Sequence, residues 1–229
     1  MRLDRLLGNL PHGNRREARL ALAAGRVRVD GASISDGRLE VREFSRIELD
    51  GEVIQAGKAA RYFLLHKPAG VVSATEHPQH RTVLDLLDEP DKHELHLAGR
   101  LDLNTTGLLL ITNDGLWSRR ITLPQTKLAK VYYVETEQPI GAEYAEVFAA
   151  GLYFAYENLT TLPAGLETLG SHSARLTLYE GRYHQVKRMF GHFQNKVVRL
   201  HRERMGSLAL GDLPEGAYRA LSQTELDSL

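Results

Sequence analysis

The chain has 229 residues, with 29 lysines and arginines against 29 aspartates and glutamates, and no cysteine. Without cysteine there is no disulfide framework, no thiolate nucleophile and no cysteine-based zinc site. No apolar run approaches the roughly 20 residues that cross a bilayer, and the arginine-rich start does not have the pattern of a secretory signal peptide. A soluble, cytoplasmic protein is therefore expected.

The net charge is zero, but positive residues are concentrated in two basic blocks. Residues 1–28 carry seven arginines against Asp4 and Glu17, and residues 182–204 carry seven lysines and arginines against Glu203. One such block is usually a solvated charged face. Two blocks favour an anionic polymer as partner, although zero net charge argues weakly against a general nucleic-acid binder. The arginines of the first block are Arg2, Arg5, Arg15, Arg16, Arg19, Arg26 and Arg28.

The first 60 residues predict a small unit of two helices and several short strands. Leucines at 3, 6, 7 and 10 have the i, i+3, i+4, i+7 spacing of an amphipathic helix. Asn14 is placed to cap a second helix, and Gly25 to end it. Strands at 26–29 and 45–54 contain or precede Asp-Gly turns, and residues 55–60 have the composition of a linker.

From residue 61 onward, strands and helices mix without regular alternation, which is typical of an α+β domain with a largely antiparallel sheet. The predicted strands are 62–67, 71–74, 108–112, 130–136 and 174–180. The predicted helices are 82–88, 116–122, 140–151 and 183–193.

Two stretches in this second part contain candidate functional residues. In "GRLDLNTTGLLLITNDG", residues 99–115, Asp102 lies between glycines that permit tight backbone geometry. The ordinary interpretation is a structural loop in which Arg100 and Asp102 form an ion pair. In "KVYYV", Lys130 and Tyr132 share one face of a strand, where the tyrosine is either a core residue or a platform for a nucleobase.

A third stretch, "EGRYHQVKRMFGHF" at 180–193, places polar residues at the start of a predicted helix whose apolar face begins at Val186. Cations near a helix start are unfavourable without an anion, so a phosphate or a carboxylate is expected beside them. These polar residues are His184, Gln185, Lys187 and Arg188.

Two histidine pairs, "HPQH" at 77–80 and "HELH" at 93–96, are candidate metal ligands by spacing alone. Neither has the His-Glu-x-x-His pattern of a zinc site, and no third ligand lies nearby in the sequence. No metal is expected.

Together, these stretches resemble the RsuA-like pseudouridine synthases. "GRLDLNTTGLLL" resembles that family's Gly-Arg-Leu-Asp block, "KVYYV" its Lys-x-Tyr strand and "EGRYHQVKRM" its His-Gln-Val helix, in family order. "YFLLHKPAGVVS" resembles its Asn-Lys-Pro-x-Gly block, with His66 in place of asparagine, and "LHRERMGSLAL" its C-terminal strands. Residues 1–58 are similar to an S4-type RNA-binding domain. The resemblance implies that 61–229 form the catalytic domain, with a mixed, mainly antiparallel sheet flanked by helices.

The resemblance also implies roles for individual residues. Asp102 corresponds to the family's essential aspartate, and Tyr132 to the tyrosine that packs on the target uracil. Lys187 corresponds to the basic partner of the aspartate, with Arg188 as a second candidate. Leu200 matches the apolar residue beside the base.

Further contacts are expected around this centre. Arg100 is the neighbouring positive group that helps to hold the loop. Contacts with RNA are expected from the seven arginines of the first block and from Lys67, Lys130, Arg182, His184 and Gln185.

The implied activity is isomerisation of uridine to pseudouridine in ribosomal RNA, without cofactor or metal. The implied substrate is uridine 516 of 16S small-subunit rRNA, in an assembly intermediate with ribosomal proteins, and the enzyme is expected to be a monomer. Asp102 serves as nucleophile or as base, and the sequence leaves both routes open. Three alternatives remain: a family member acting on 23S rRNA, a non-catalytic ribosome-binding protein, and a glycosidase using Asp102 with Glu180.

Overall fold

A computed structural model describes residues 1–11 and 13–229. The chain divides into two compact units, Met1–Ala60 with one hydrophobic core and Arg61–Leu229 with two. None of the helices formed by the described residues is long and apolar enough to cross a membrane.

The first unit combines two helices with a four-stranded antiparallel sheet in the order β2-β1-β3-β4. Its elements are α1 (Leu3–Gly8), α2 (Arg15–Ala23), β1 (Val27–Val29), β2 (Ala32–Ser33), β3 (Ile47–Leu49) and β4 (Glu52–Gln55). The Asn14 side chain accepts hydrogen bonds from the backbone N–H groups of Arg16 and Glu17, which confirms the predicted cap of α2. The apolar faces of both helices and the valines of β1 share one core, and the arginines remain on the surface.

The second unit contains eleven strands, nine of which form one sheet. Its strands are β5 (Tyr62–Lys67), β6 (His96–Ala98), β7 (Thr106–Thr112), β8 (Lys130–Thr136), β9 (Tyr153–Phe154), β10 (Leu159–Thr160), β11 (Gly165–Gly170), β12 (Ser173–Leu178), β13 (Val197–Met205), β14 (Leu208–Ala209) and β15 (Tyr218–Ala220). Its helices are α3 (Gly115–Thr122), α4 (Glu143–Ala150), α5 (Gln185–Gly191) and α6 (Gln223–Asp227). The strand order in the sheet is β11-β12-β8-β13-β7-β5-β15. In addition, β14 pairs with β13 and β6 pairs with β7, while β9 and β10 form a separate hairpin.

Strand β7 lies at the centre of this unit and is buried on both faces. Leu109 and Ile111 belong to the core that contains α4 and α5, whereas Leu108 and Leu110 pack in the core of α3. Alternate side chains of a strand point to opposite faces, so this apolar run serves both cores. Strand β7 runs parallel to β13 and antiparallel to β5 and β6. The predicted mixed, mainly antiparallel sheet is confirmed.

Two predicted elements differ from the structure. The strand expected at 71–74 is wrong: only Val72 forms an isolated bridge, to Thr82, because the backbone N–H and carbonyl of Val72 bond to Arg81 and Val83 and no longer ladder follows. The helix expected at 82–88 is a short 3₁₀ turn, Val83–Leu86. Thr82 and Asp85 cap each other at its start, which fixes the turn.

Candidate active site

A cavity of about 710 Å³ opens in the second unit, and its lining includes four of the residues predicted to form the site. Asp102 lies in the turn between β6 and β7, Tyr132 on β8, Lys187 on α5 and Leu200 on β13. The sheet order places β8 and β13 side by side and β7 next to β13. The fold therefore brings together four residues that are far apart in the sequence.

The carboxylate of Asp102 contacts two groups at the start of α5. Its Oδ2 lies 3.0 Å from Lys187 Nζ, and its Oδ1 lies 3.4 Å from His184 Nε2. The Asp102 side chain is 29% exposed, so a ligand in the cavity can reach it. The anion expected beside the polar start of this helix is thus a carboxylate of the protein itself.

The ion pair between Arg100 and Asp102 that a purely structural loop would contain is absent. Across residues 1–11 and 13–229, the ion-pair partners of Asp102 are Lys187 and His184, and Arg100 is exposed at the cavity wall. The turn therefore presents its carboxylate to the cavity and not to its own loop.

The prediction of Arg188 as a second candidate for the basic partner of Asp102 is wrong. Its Nη1 lies 3.0 Å from the carboxylate oxygens of Glu157, and its guanidinium packs over the Phe154 ring at 3.6 Å. Successive residues of a helix point about 100° apart, so Lys187 and Arg188 cannot both face Asp102.

The expected contact of Lys67 with RNA is wrong. The side chain is fully buried, and its Nζ donates hydrogen bonds to the carbonyl oxygens of Pro68, Leu103 and Thr105 at 2.9, 3.0 and 2.9 Å. Burial lowers the pKa of Lys67 to about 8, against the opposing effect of the Asp102 and Glu215 carboxylates. Lys67 is thus a buried cation that holds the backbone of the Asp102 turn.

Other hydrogen bonds fix the same turn. Ser73 Oγ donates to the carbonyl of Leu101 at 2.7 Å and accepts from its N–H at 3.0 Å. The N–H of Thr105 donates to the carbonyl of Asp102, and the N–H of Gly70 to that of Leu103, each at 3.0 Å. Sequence reasoning missed this role of Ser73 and Lys67, since the residue type does not reveal burial.

Gln185 is also expected from the sequence to contact RNA, and it too is buried. Its Nε2 donates to Glu180 Oε1 at 3.0 Å, and its Oε1 accepts from the N–H of Arg182. Glu180 accepts in addition from the N–H of Leu162 and from Arg182 Nε. Both carboxylate oxygens of Glu180 are therefore engaged, so Glu180 is not the free second carboxylate that the glycosidase alternative requires.

Tyr132 and Leu200 are both nearly buried and form part of the cavity wall. The buried Arg202 lies beside Tyr132: its Nε donates to the carbonyl of Leu108 at 2.7 Å, and its Nη1 lies 3.4 Å from the Tyr132 hydroxyl. Its Nη2 has no hydrogen-bond partner in the described part of the chain. Sequence reasoning missed Arg202, whose only signal was its place in the second basic block.

Three other residues expected to contact RNA line the cavity, namely Lys130, Arg182 and His184. Burial and the Arg202 cation lower the pKa of Lys130 to about 8, and its Nζ donates to the carbonyl of Leu128 at 2.9 Å. Arg182 forms an ion pair with Glu180 at 2.9 Å. His184 adopts a left-handed backbone conformation, with φ 48°.

The arginines of the first block are all exposed. Arg2, Arg5, Arg15 and Arg19 line a groove of about 490 Å³ in the first unit. Arg2 pairs with Asp4 and Arg26 with Asp50, which reduces the free positive charge at those two positions. Among residues 1–11 and 13–229, no group of three or more metal-ligating side chains has a metal-binding arrangement.

Comparisons of the sequence and of the fold with known proteins identify relatives of this chain. The family model "RNA pseudouridylate synthase" matches residues 61–192. The chain is 62% identical over 230 residues to ribosomal small subunit pseudouridine synthase A of Pseudomonas aeruginosa, and 44% identical to the protein of the same name from Escherichia coli K12. In both comparisons the alignment covers 100% of this chain and 100% of the relative.

A solved structure described as a pseudouridylate synthase has the same fold. It aligns with a TM-score of 0.72 and 38% identity, over 100% of this chain and 99% of that one. Both the family model and the full-length relatives include the segment that contains Asp102. The chain belongs to the RNA pseudouridylate synthase family and is a pseudouridine synthase, an isomerase that modifies RNA.

Proposed function

We propose that the protein converts one uridine of the small-subunit ribosomal RNA to pseudouridine, with Asp102 as the catalytic carboxylate. The observation that carries this proposal is the contact between Asp102 Oδ2 and Lys187 Nζ, 3.0 Å apart at the wall of a 710 Å³ cavity. The contact holds the carboxylate at the cavity wall, where it can act on a bound ribose either as nucleophile or as base.

The isomerisation breaks the bond between N1 of uracil and C1′ of ribose and forms a bond between C5 and C1′. The C5 hydrogen leaves as a proton, and N1 gains one, so no oxidant or other co-reactant enters the balance. Asp102 acts at the ribose, and the detached uracil turns within the cavity before C5 is joined to C1′. A closed wall that keeps the free base next to the ribose is therefore part of the function.

Tyr132 and Leu200 form that wall. A tyrosine ring stacks on any base and offsets part of the few kcal/mol needed to take the uridine out of its stack. The Nη1 of Arg202 lies 3.4 Å from the Tyr132 hydroxyl, and Arg202 lines the same cavity. Lys130, Arg182, His184 and Arg100 also line the cavity, and of these the exposed Arg100 is available to the RNA backbone.

The first unit supplies affinity in this proposal. We take it to be an S4-type RNA-binding unit, in which the exposed arginines contact phosphates. The assignment to small-subunit RNA rests on the name shared by the full-length relatives, and the choice of uridine 516 rests on the resemblance to the RsuA-like enzymes. We also take the enzyme to act in the cytoplasm, as a monomer, on an assembly intermediate that already carries ribosomal proteins.

Release of tritium from rRNA labelled at uridine C5 tests this proposal, because the reaction expels that hydrogen. Wild-type protein is assayed on 16S rRNA, 23S rRNA and small-subunit particles in parallel. One equivalent released from a small-subunit substrate, located at uridine 516 by chemical mapping, supports the proposal. Release from 23S rRNA alone moves the target to the large subunit, and no release from any substrate favours the non-catalytic alternative.

A further inference from the structure

Tyr183 is an exposed aromatic residue at the rim of the cavity, and the proposed chemistry does not use it. Its residue surface is 75% exposed, and it lines the same cavity as Asp102. Its ring stacks on the imidazole of His184, with centroids 4.0 Å apart and planes 18° from parallel. Because His184 covers one face of the ring, the exposed surface belongs to the other face and the edges.

Arg188 fixes the backbone that carries this ring. The Tyr183 carbonyl accepts a hydrogen bond from Arg188 Nη1 at 3.3 Å, and the same guanidinium binds Glu157 and packs over Phe154. Arg188 thus holds the backbone of Tyr183 in place. The segment is pre-organised before any ligand arrives, which reduces the entropic cost of binding.

His184 connects the ring to the catalytic centre. It holds a left-handed conformation that costs a non-glycine residue free energy, and such conformations cluster at functional sites. In that conformation its ring lies under Tyr183 while its Nε2 lies 3.4 Å from Asp102. Only one side chain separates Tyr183 from the catalytic carboxylate.

From these contacts we propose that the open face of Tyr183 stacks on a nucleobase adjacent to the target uridine in the RNA strand. The inference rests on the proposed function, since it needs an RNA whose target uridine lies in the cavity. Exposed aromatic faces stack on bases of any sequence, and a strand whose target base is extruded has neighbours that lose a stacking partner. Arg100 is exposed at the wall of the same cavity and supplies positive charge for the backbone of the same strand.

Tyr156 offers a matched control. It is 97% exposed in the turn between β9 and β10, it does not line the cavity, and it has no aromatic or hydrogen-bond partner among the described residues. Removing its ring changes exposed aromatic surface by a similar amount without touching the proposed platform.

The experiment compares Tyr183→Ala, Tyr183→Phe and Tyr156→Ala with wild type on an RNA that wild type modifies. Stacking on an aromatic contributes about 1–3 kcal/mol per base, which corresponds to a rise in KM of roughly 5- to 150-fold for Tyr183→Ala. We expect kcat at saturating RNA to stay within about twofold of wild type, because the Asp102 centre keeps its contacts. Tyr183→Phe and Tyr156→Ala are expected to retain the wild-type KM.

A second readout reports stacking directly. In the same RNA, 2-aminopurine replaces the base on either side of the target uridine, and its fluorescence is followed on binding. At one of the two positions, wild type, Tyr183→Phe and Tyr156→Ala are expected to quench the fluorescence, and Tyr183→Ala is not.

The outcomes separate this inference from the proposed function. An unchanged KM together with unchanged quenching for Tyr183→Ala overturns the platform and leaves the proposed function intact. So does a fall in kcat at constant KM, which indicates a disturbed Asp102 centre, or an equal loss in Tyr183→Phe, which assigns the effect to the hydroxyl. Absence of pseudouridine with wild type on every RNA overturns both.

Discussion

The turn that carries Asp102 and the arginine surface of the first unit are built in opposite ways. The turn is held by buried groups, with Lys67 and Ser73 bonded to its backbone. The seven arginines are exposed, four of them line a groove, and the ion pairs of Arg2 and Arg26 lie at the surface. Chemistry at a single bond requires a carboxylate fixed to within a fraction of an ångström. Binding of a charged polymer requires only positive charge within reach of phosphates.

The largest effect on stability is expected from Gly107→Ala, next to the Asp102 turn. Gly107 has φ 114°, and an added Cβ would lie 2.5 Å from the backbone nitrogen of Arg202 and closer still to its carbonyl oxygen. Both are backbone atoms of β13, so the parallel β7–β13 pair must separate. We expect a loss of at least about 3 kcal/mol in the free energy of unfolding, measured by urea denaturation.

Gly115→Ala is the matched control, since a Cβ at Gly115 meets nothing within 4 Å at the start of α3. It should leave stability unchanged or raise it by up to about 1 kcal/mol. Equal stability of the Gly107→Ala and Gly115→Ala proteins would contradict the close approach of these strands.

Lys67→Met tests whether the turn depends on its buried cation. The change removes three hydrogen bonds and leaves the carbonyls of Pro68, Leu103 and Thr105 without the donor they share. We expect kcat to fall by about 100-fold through displacement of Asp102, with a stability loss of about 1–3 kcal/mol and little change in RNA affinity. Lys196→Met, at an exposed position, should lower neither kcat nor stability. A weakened RNA affinity with normal kcat would restore Lys67 as an RNA-binding residue.

The same lysine predicts a pH dependence of stability. Its pKa is about 8 in the folded protein and 10.5 as its ordinary value, so between these pH values the unfolded chain binds more protons. The contribution of Lys67 to the free energy of unfolding therefore increases as the pH rises through this window. Urea denaturation from pH 7.5 to 10 should show the stability difference between wild type and Lys67→Met widening as pH increases. A difference that narrows would contradict the lowered pKa.

A variant of the arginine surface is expected to weaken RNA affinity without changing the chemistry. Combined replacement of Arg5, Arg15 and Arg19 by alanine removes exposed charges from the groove of the first unit. RNA affinity should fall by about 10-fold or more, and the slope of log K against log salt should decrease by roughly 0.7–0.9 for each phosphate that the variant no longer neutralises. The kcat at saturating RNA should not change. Arg38→Ala, exposed in the same unit but outside the groove, is the control.

Much of this organisation could be predicted from local patterns. The cap at Asn14 and the apolar run of β7 follow from spacing and residue type, which operate over a few residues. The three stretches that carry Asp102, Tyr132 and Lys187 are identified by resemblance, and the fold places all three at one cavity.

The two wrong expectations of RNA contact, for Lys67 and Gln185, share one physical cause. Lys67 and Gln185 have side chains typical of RNA-binding surfaces, but both are buried by segments distant in the sequence. A long polar side chain can be buried when every polar atom finds a partner, and that depends on tertiary neighbours that a local pattern does not contain. For Arg188, by contrast, helix geometry alone could have separated its direction from that of Lys187.

The central claim is that Asp102 carries out the chemistry and does not merely hold the loop. The most direct measurement is single-turnover pseudouridine formation by Asp102→Asn, with RNA affinity determined on the same preparation and the exposed Asp212→Asn as control. We predict a rate reduced by a factor of about 10³ or more with affinity close to wild type, because the amide is nearly isosteric but is neither a nucleophile nor a base. Turnover by Asp102→Asn comparable to that of Asp212→Asn would contradict the account.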